Sequence, residues 1–362
     1  VFDEIPCKNV VLWTTIITGY VENARGEEAL QFLDKMHFDG YSANFVTLIS
    51  SLKACTVVGS IQKGQEVHAE IETKGLLKSN PAIGNSLIDM YAKCGFLVKA
   101  RKVFDHLLVR NVVSWTTIIS GYVEHNYGKE ALECFEHMQL EGVSPNSVTY
   151  LFVLKACGSV GAIGRGQKIH AEVVKEGFEL NSFVGSTLMD MYAKNGLLLE
   201  ALEIFHELPE RDVVSWTSLI EAYASHGHAK VVVELLLEMQ YEGVKPDAIT
   251  YMSVLSSCSH AGWVDEACWQ FKSMNEDYGV SCTIEHYGCL IDLYGRVGKL
   301  EEAEVLMFEM PFLPNDVVWE IFLSACQAHH DLERGRSVAE QMIWAIPECS
   351  IPYVLASNIY AL

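Results

Sequence analysis

VVSWTTIISGYVEHNYGKEALECFEHMQLEGVSPN, residues 112–146, returns about one hundred residues later as VVSWTSLIEAYASHGHAKVVVELLLEMQYEGVKPD, residues 213–247. A third copy starts at Val10 as VVLWTTIITGYVENARGEEAL and closes at Asn44. Within residues 112–146 the apolar side chains Val113, Trp115, Ile118, Ile119, Tyr122 and Val123 recur at spacings of three and four, the period of a helix. Asn126, Tyr127 and Gly128 interrupt the pattern, and Ala131, Leu132, Phe135 and Met138 resume it. Gly142 stands where glycine stops a helix, and Pro145 prevents its continuation. The spacing predicts helix pairs near 13–23 and 27–39, repeated through residue 315. One such pair is too short to bury a core alone, so neighbours must stack. The fold class expected is all-α, an α-solenoid superhelix of stacked helix-turn-helix repeats.

Three kinds of unit alternate: standard (10–44, 112–146, 213–247), long (45–80, 147–181, 248–283) and short (81–111, 182–212, 284–315). Eight units are followed by 284–315 as a further short one. Residues 1–9 read as the end of a truncated short unit, since VFDEIPCKN parallels KVFDHLLVRN at 102–111, so the chain is expected to be a fragment. Residues 316–362 read as two diverged hairpins.

Half of the residues are apolar, enough for a continuous core, and no apolar run is long enough to span a bilayer. No targeting peptide is visible. Eleven cysteines include no C-x-x-C pair. Cys55, Cys157 and Cys258 fall in phase in the long units, which fits small buried thiols in a reducing compartment better than disulfides or metal ligands. The formal charge of -21 argues against a strongly basic nucleic-acid surface.

A tetratricopeptide array would carry W-x2-L-G-x2-Y, which these units lack. NVVSWTTIISGY, VLKACGSVGAIGRGQKIHA, IDMYAKCG, VLSSCSHAGWVDEA and IEHYGCLIDLYGRVGKLEEAE instead resemble the pentatricopeptide repeat (PPR) family. The alternation of standard, long and short units resembles its plant organellar PLS subgroup, and 316–362 resembles part of the carboxy-terminal E-type extension of that subgroup. The resemblance covers essentially the whole chain. It implies single-stranded RNA as partner, read one base per repeat by two or three side chains. It also implies a chloroplast or mitochondrial location, and a role in choosing sites for C-to-U RNA editing. A deaminase-domain protein would then act in trans through 316–362. Splicing or transcript stabilisation is the alternative RNA task, and a tetratricopeptide-like protein scaffold is the alternative of another class.

By the resemblance, the readers are the fifth and last residues of each unit: Thr14/Asn44, Asn85/Asn111, Thr116/Asn146, Ser186/Asp212 and Thr217/Asp247. A terminal Asp offers only acceptors and suits the ring N–H of guanine or uracil, while a terminal Asn can donate to adenine or cytosine. The resemblance further implies that Thr or Ser at the fifth position goes with a purine and Asn with a pyrimidine, so the implied element is A-n-Y-A-n-G-G-n-n, Y being a pyrimidine. Long units carry Ile49, Leu151 and Met252 at the fifth position and are expected to read little, so Asn80 and Asn181 are weaker candidates, as is Asn315, whose short unit has Gly288 at the fifth position. The competing account of every terminal Asn or Asp is helix capping. Apolar second residues, among them Val11, Val113 and Val214, are expected to hold bases or else to pack. Lys93, Lys194 and Arg296 share one phase and are candidates for phosphate contact, although Asp89, Asp190 and Asp292 four residues earlier offer ordinary helix ion pairs. Trp13, Trp115 and Trp216 read as core.

No catalytic site is legible. The two HAE segments, His68–Glu70 and His170–Glu172, lack the P-C-x-x-C a zinc deaminase requires, and GAIGRG at Gly161–Gly166 follows no strand. Neither metal nor cofactor is expected.

Overall fold

The computed structural model describes residues 9–178 and 181–345, which form 21 α-helices joined by turns, with no strand among the described residues. Contacts divide the chain into two compact bodies, residues 1–191 and 192–362. The first contains α1 (Val10–Glu22), α2 (Gly26–Phe38), α3 (Phe45–Val58), α4 (Ile61–Thr73), the single turn α5 (Leu76–Ser79), α6 (Pro81–Lys93), α7 (Leu97–Asp105), α8 (Val112–Glu124), α9 (Gly128–Leu140), α10 (Ser147–Val160), α11 (Ile163–Lys175) and most of α12 (Ser182–Lys194). The second contains α13 (Leu198–Glu207), α14 (Val213–Ser225), α15 (Ala229–Tyr241), α16 (Ala248–Ala261), α17 (Val264–Glu276), α18 (Ile284–Arg296), α19 (Leu300–Glu309), α20 (Asp316–Ala328) and α21 (Leu332–Ala345).

Within each body the hairpins form two layers. First helices lie side by side, α1 on α3, α3 on α6, α6 on α8 and α8 on α10 in one body, and α14 on α16, α16 on α18 and α18 on α20 in the other. Second helices wedge between their own first helix and the next one, as α9 does between α8 and α10 and α15 between α14 and α16. Stacked helical hairpins are thus the architecture of both.

First helices start about three residues earlier than apolar spacing predicts: α1 begins at Val10 rather than near 13. The start is set by the cap, where Asn9 Oδ1 accepts the amide of Leu12, and not by burial, because the first turn points outward. The turn α5 is a departure from the plain hairpin plan. Second helices start at or next to the expected point, and Gly142, with φ of 74°, lies just beyond α9.

The tryptophans are core. Trp115 is met edge-on by Phe104 from the preceding short unit at 4.6 Å and 68°. The second body repeats the arrangement, with Phe205 and Trp216 at 4.6 Å and 69°. Such edge-to-face geometry places the positive ring edge on the negative ring face. α20 closes on the short unit before it through Trp319, Phe322 and Leu323 against Ile291 and Met307. The part of the expected extension beyond residue 345 lies outside the described residues.

Hairpin layers approach closely where glycine starts a second helix. A Cβ on Gly128 would stand 2.6 Å from Val160 Cγ1 and 2.9 Å from Ser159 Oγ on α10. Gly128→Ala is expected to destabilise the chain by about 1–3 kcal/mol through overpacking, read as a lowered midpoint in chemical denaturation. An unchanged midpoint would show that α10 yields at this joint.

Candidate nucleic-acid interface

The last residue of a unit is the N-cap of the next first helix. Asn44, Asn111, Asn146 and Asn315 accept the amides of Thr47, Ser114, Thr149 and Val318 at 2.9–3.0 Å. Asp212 and Asp247 accept those of Ser215 and Thr250 at 2.9 and 2.8 Å. Asn80 accepts from Ala82 at 3.0 Å and Asn181 from Val184 at 3.2 Å. Thr283 instead forms a capping box with His286. Capping therefore operates at each of these positions, and it is the physical reason for Asn and Asp there.

Capping uses one side-chain atom, Oδ1. The other, Nδ2 of Asn or Oδ2 of Asp, has no hydrogen bond among the described residues in Asn111, Asn146, Asp212, Asp247 and Asn315. In Asn44 the second atom makes a long contact of 3.5 Å with Thr14 Oγ1. Asn111, Asp212 and Asn315 are exposed, and Asn44, Asn146 and Asp247 are half-buried. Asn presents a donor at the outward atom and Asp an acceptor.

The fifth residues sit deeper. Thr14, Thr116 and Thr217 are only 7–9% exposed. Their hydroxyls lie 2.7, 2.7 and 2.6 Å from those of Thr47, Thr149 and Thr250, the third residues of the following long units. Asn85 and Ser186 are half-buried, as are Ile49, Leu151 and Met252. Asn85 Oδ1 is buried without a hydrogen bond among the described residues. Sequence reading missed Thr47, Thr149 and Thr250, although a hydroxyl residue recurring in one phase was the signal available.

The second residues do not pack. Val11, Val113 and Val214 are 69, 52 and 61% exposed, and Val46, Val148, Phe183 and Ile249 are exposed as well. In each body they leave apolar side chains uncovered at the amino-terminal turns of the first helices, beside the caps.

The cations are paired. Lys93 lies 3.0 Å from Asp89 and Arg296 2.7 Å from Asp292, the i,i+4 arrangement weighed above. Lys194 occupies the same phase at an exposed position on α12. Cys55, Cys157 and Cys258 are fully buried free thiols, which burial pushes up to about 12, 11 and 12. His68 of the first HAE segment sits in α4 with Nδ1 2.9 Å from the Tyr91 hydroxyl, and burial lowers its pKa. Among the described residues no three His, Cys, Asp or Glu side chains converge as metal ligands, and no helix is long and apolar enough to cross a membrane.

The periodicity of this geometry is matched in known proteins. The PPR repeat family matches residues 8–56, 110–159 and 211–260, and the PPR repeat matches 85–112, 186–213, 249–278 and 285–312, together more than half of the chain. The chain belongs to the pentatricopeptide repeat family. Among Arabidopsis thaliana relatives, it is 38% identical to pentatricopeptide repeat-containing protein At4g33990 over 100% of this chain and 44% of that protein. It is 39% identical to At1g50270 over 99% of this chain and 60% of that protein. It is 37% identical to At1g06140, described as mitochondrial, over 100% of this chain and 65% of that protein. The chain thus spans 44–65% of the length of these curated relatives. Crystallised PPR10 in complex with an 18-nt psaJ RNA element superposes with a TM-score of 0.83 at 19% identity, over 99% of this chain and 54% of that one. PPR10 from maize gives 0.71 at 17% identity, over 98% and 56%. At these identities the likeness is one of fold.

In a pentatricopeptide repeat of this chain, the cap and the outward atom belong to one side chain, so their effects separate by substitution. Asn146→Ala is expected to lower stability by about 0.5–2 kcal/mol in denaturant titration. Asn146→Asp keeps the cap and is expected to leave stability nearly unchanged. Equal losses in the two variants would contradict the cap.

Proposed function

We propose that the chain binds single-stranded RNA sequence-specifically, one base per repeat, with the outward atom of each terminal Asn or Asp as principal reader. The observation that carries this reading is the division of labour within that side chain: Oδ1 is held by the cap, and a donor or an acceptor of defined kind is left beside exposed apolar residues. Each base would lie between successive second residues, as Val11 and Val46, Val113 and Val148, or Val214 and Ile249 are, and meet the terminal side chain with its edge. Membership of the family and the fold shared with RNA-bound PPR10 support it.

Asn44 and Asn146, with Thr14 and Thr116, then select adenine. Asp212 and Asp247, with Ser186 and Thr217, select guanine. Asn85 with Asn111 selects a pyrimidine, and the long repeats, with Asn80 and Asn181, select little. The element is A-n-Y-A-n-G-G-n-n. The order of standard, long and short repeats and the hairpin after residue 315 favour a role in choosing sites for organellar C-to-U editing over splicing or stabilisation. A deaminase-domain protein would then be recruited through 316–362. One relative is described as mitochondrial. This chain would act in that organelle or in the chloroplast.

Two substitutions test the reading. Asp247→Asn replaces an outward acceptor with a donor, so preference at that repeat should move from guanine toward adenine by about tenfold, since one base contact is worth roughly 1–3 kcal/mol. Binding of A-n-Y-A-n-G-G and A-n-Y-A-n-G-A oligonucleotides before and after the change gives the ratio directly, and an unaltered ratio would leave Asp247 a cap only. Lys194→Ala should instead weaken both oligonucleotides alike and flatten the dependence of affinity on salt. A change in their ratio would argue against a phosphate contact.

A further inference from the structure

We infer that Thr47, Thr149 and Thr250, the third residues of the long repeats, are positioning residues that set base discrimination by the standard repeat preceding each of them. The inference rests on the readout proposed above and assigns it a part that neither reading residue supplies.

Proton directions follow from the geometry of the second body. Asp247 Oδ1 accepts the Thr250 amide at 2.8 Å and lies 2.9 Å from the Thr250 hydroxyl. A carboxylate has no proton to give, so the hydroxyl proton of Thr250 points to Asp247. A hydroxyl has only one proton, so the 2.6 Å contact between Thr250 and Thr217 requires the proton of Thr217. The relay runs Thr217 to Thr250 to Asp247. It recurs in the first body. Asn146 Oδ1 is fixed as an acceptor by the Thr149 amide at 2.9 Å, the Thr149 hydroxyl donates to it at 3.0 Å, and Thr116 donates to Thr149 at 2.7 Å. Thr47 stands 2.9 Å by its amide and 3.1 Å by its hydroxyl from Asn44 Oδ1, with Thr14 at 2.7 Å. Thr14 has a second inward acceptor, the Val10 carbonyl, at 2.8 Å.

Two consequences follow. Two donors on Oδ1 fix the plane of the terminal side chain and leave the second atom free of the cap, Nδ2 of Asn146 and Oδ2 of Asp247 without a hydrogen bond among the described residues and Nδ2 of Asn44 only at 3.5 Å from Thr14 Oγ1. The fifth-position threonine, its proton held inside, has no donor to offer a base. A standard repeat with Asn therefore accepts an edge with a ring acceptor beside an amino group, as in adenine or cytosine, and rejects guanine. With Asp it accepts guanine, whose ring N–H adjoins an amino group, and disfavours uracil, whose ring N–H is flanked by carbonyls.

The sequence shows the same coupling. Each polar fifth residue is followed, in the next repeat, by a hydroxyl third residue: Thr14 by Thr47, Asn85 by Ser114, Thr116 by Thr149, Ser186 by Ser215 and Thr217 by Thr250. Ile49, Leu151 and Gly288 are followed instead by Ile83, Val184 and Val318, and Met252 by His286, which has no hydroxyl. The relay is complete only after standard repeats. Ser114 donates to Asn111 Oδ1 at 3.2 Å, yet Asn85 Oδ1 stays without a hydrogen bond among the described residues. Ser215 turns its hydroxyl to the Asp212 carbonyl at 2.9 Å.

The test compares the unaltered chain with Thr149→Val and Thr149→Ser, using oligonucleotides that vary only the base at Thr116/Asn146 or only the base at Thr217/Asp247. Thr149→Val should reduce the preference for adenine over guanine at the first position by about tenfold, the worth of one base contact. Preference for guanine over uracil at the second position should be unchanged in the same molecules, which shows that the variant is folded. Thr149→Ser, which keeps the hydroxyl, should behave as the unaltered chain. Preference at the first position that survives Thr149→Val overturns the inference while leaving the readout standing. Equal loss at both positions, or no rescue by serine, marks Thr149 as merely structural and overturns it too. Absence of any base preference in the unaltered chain removes the readout, and the inference with it.

Discussion

Every first helix must begin somewhere, and its first amides have no partner within the helix. In this chain the deficit is met by the last side chain of the repeat before, so the junction between two repeats is also the start of the layer that the first helices build. That constraint fixes much else. It forces a short oxygen-bearing side chain at each junction and holds that side chain's Oδ1 against the helix end. It also sets the cap beside the first turn, whose second residue is left uncovered because burial begins only at the third and fourth. Asn146, Val148 and Tyr150 show the progression from half-buried cap to exposed valine to buried tyrosine within five residues.

Capping and base readout are commonly weighed against each other as explanations of a terminal Asn or Asp. In the readout proposed here they concern different atoms of the same group. A cap that used both atoms would leave nothing for a base, and an uncapped side chain would rotate freely and select poorly. Asp247 is anchored by two donors from Thr250 and keeps one oxygen outward, so the interaction that stabilises α16 also orients what a ligand would meet. With a formal charge of -21, and with Lys93 and Arg296 already paired to carboxylates, the interface has little general attraction for phosphate. Selectivity is then expected to outweigh raw affinity.

Much of this was legible in the sequence. The two apolar runs of each unit, Trp115 to Val123 and Ala131 to Met138, identify α8 and α9 because helix periodicity survives wherever one face is buried. The terminal Asn and Asp residues were visible as caps because few residue types can do that work. Helix starts were misplaced by about three residues, since Val10 and Val11 precede the buried stripe and carry no periodic signal. The exposure of Val11, Val113 and Val214 was not legible either: a valine beside a tryptophan looks like core until its direction is known. Phe104 and Trp115 belong to different units, so their edge-on contact follows only from stacking. Thr149 was missed because a threonine three residues after a cap has many uses, and its role depends on Thr116, a residue 33 positions away across the helix layer.

The alternation of repeat types gains a physical meaning from these joints. A buried hydroxyl relay contributes little net stability and is costly if left incomplete, because every unpaired polar group inside loses its hydration. Standard repeats carry that relay in full. Two of the three long repeats put Ile49 and Leu151 at the corresponding position, and their successors carry Ile83 and Val184, both fully buried, while the third, with Met252, is followed by the buried His286 hydrogen-bonded to Thr283 and the Ala248 carbonyl. Dry joints of this kind stabilise by apolar burial and ask nothing of hydrogen-bond geometry. An array built only of relays would depend on many exact polar matches, and one built only of dry joints would have no oriented polar atom to offer. Interleaving the two lets apolar joints hold the first helices at fixed spacing, so that the few relays between them can keep their donors and acceptors in register.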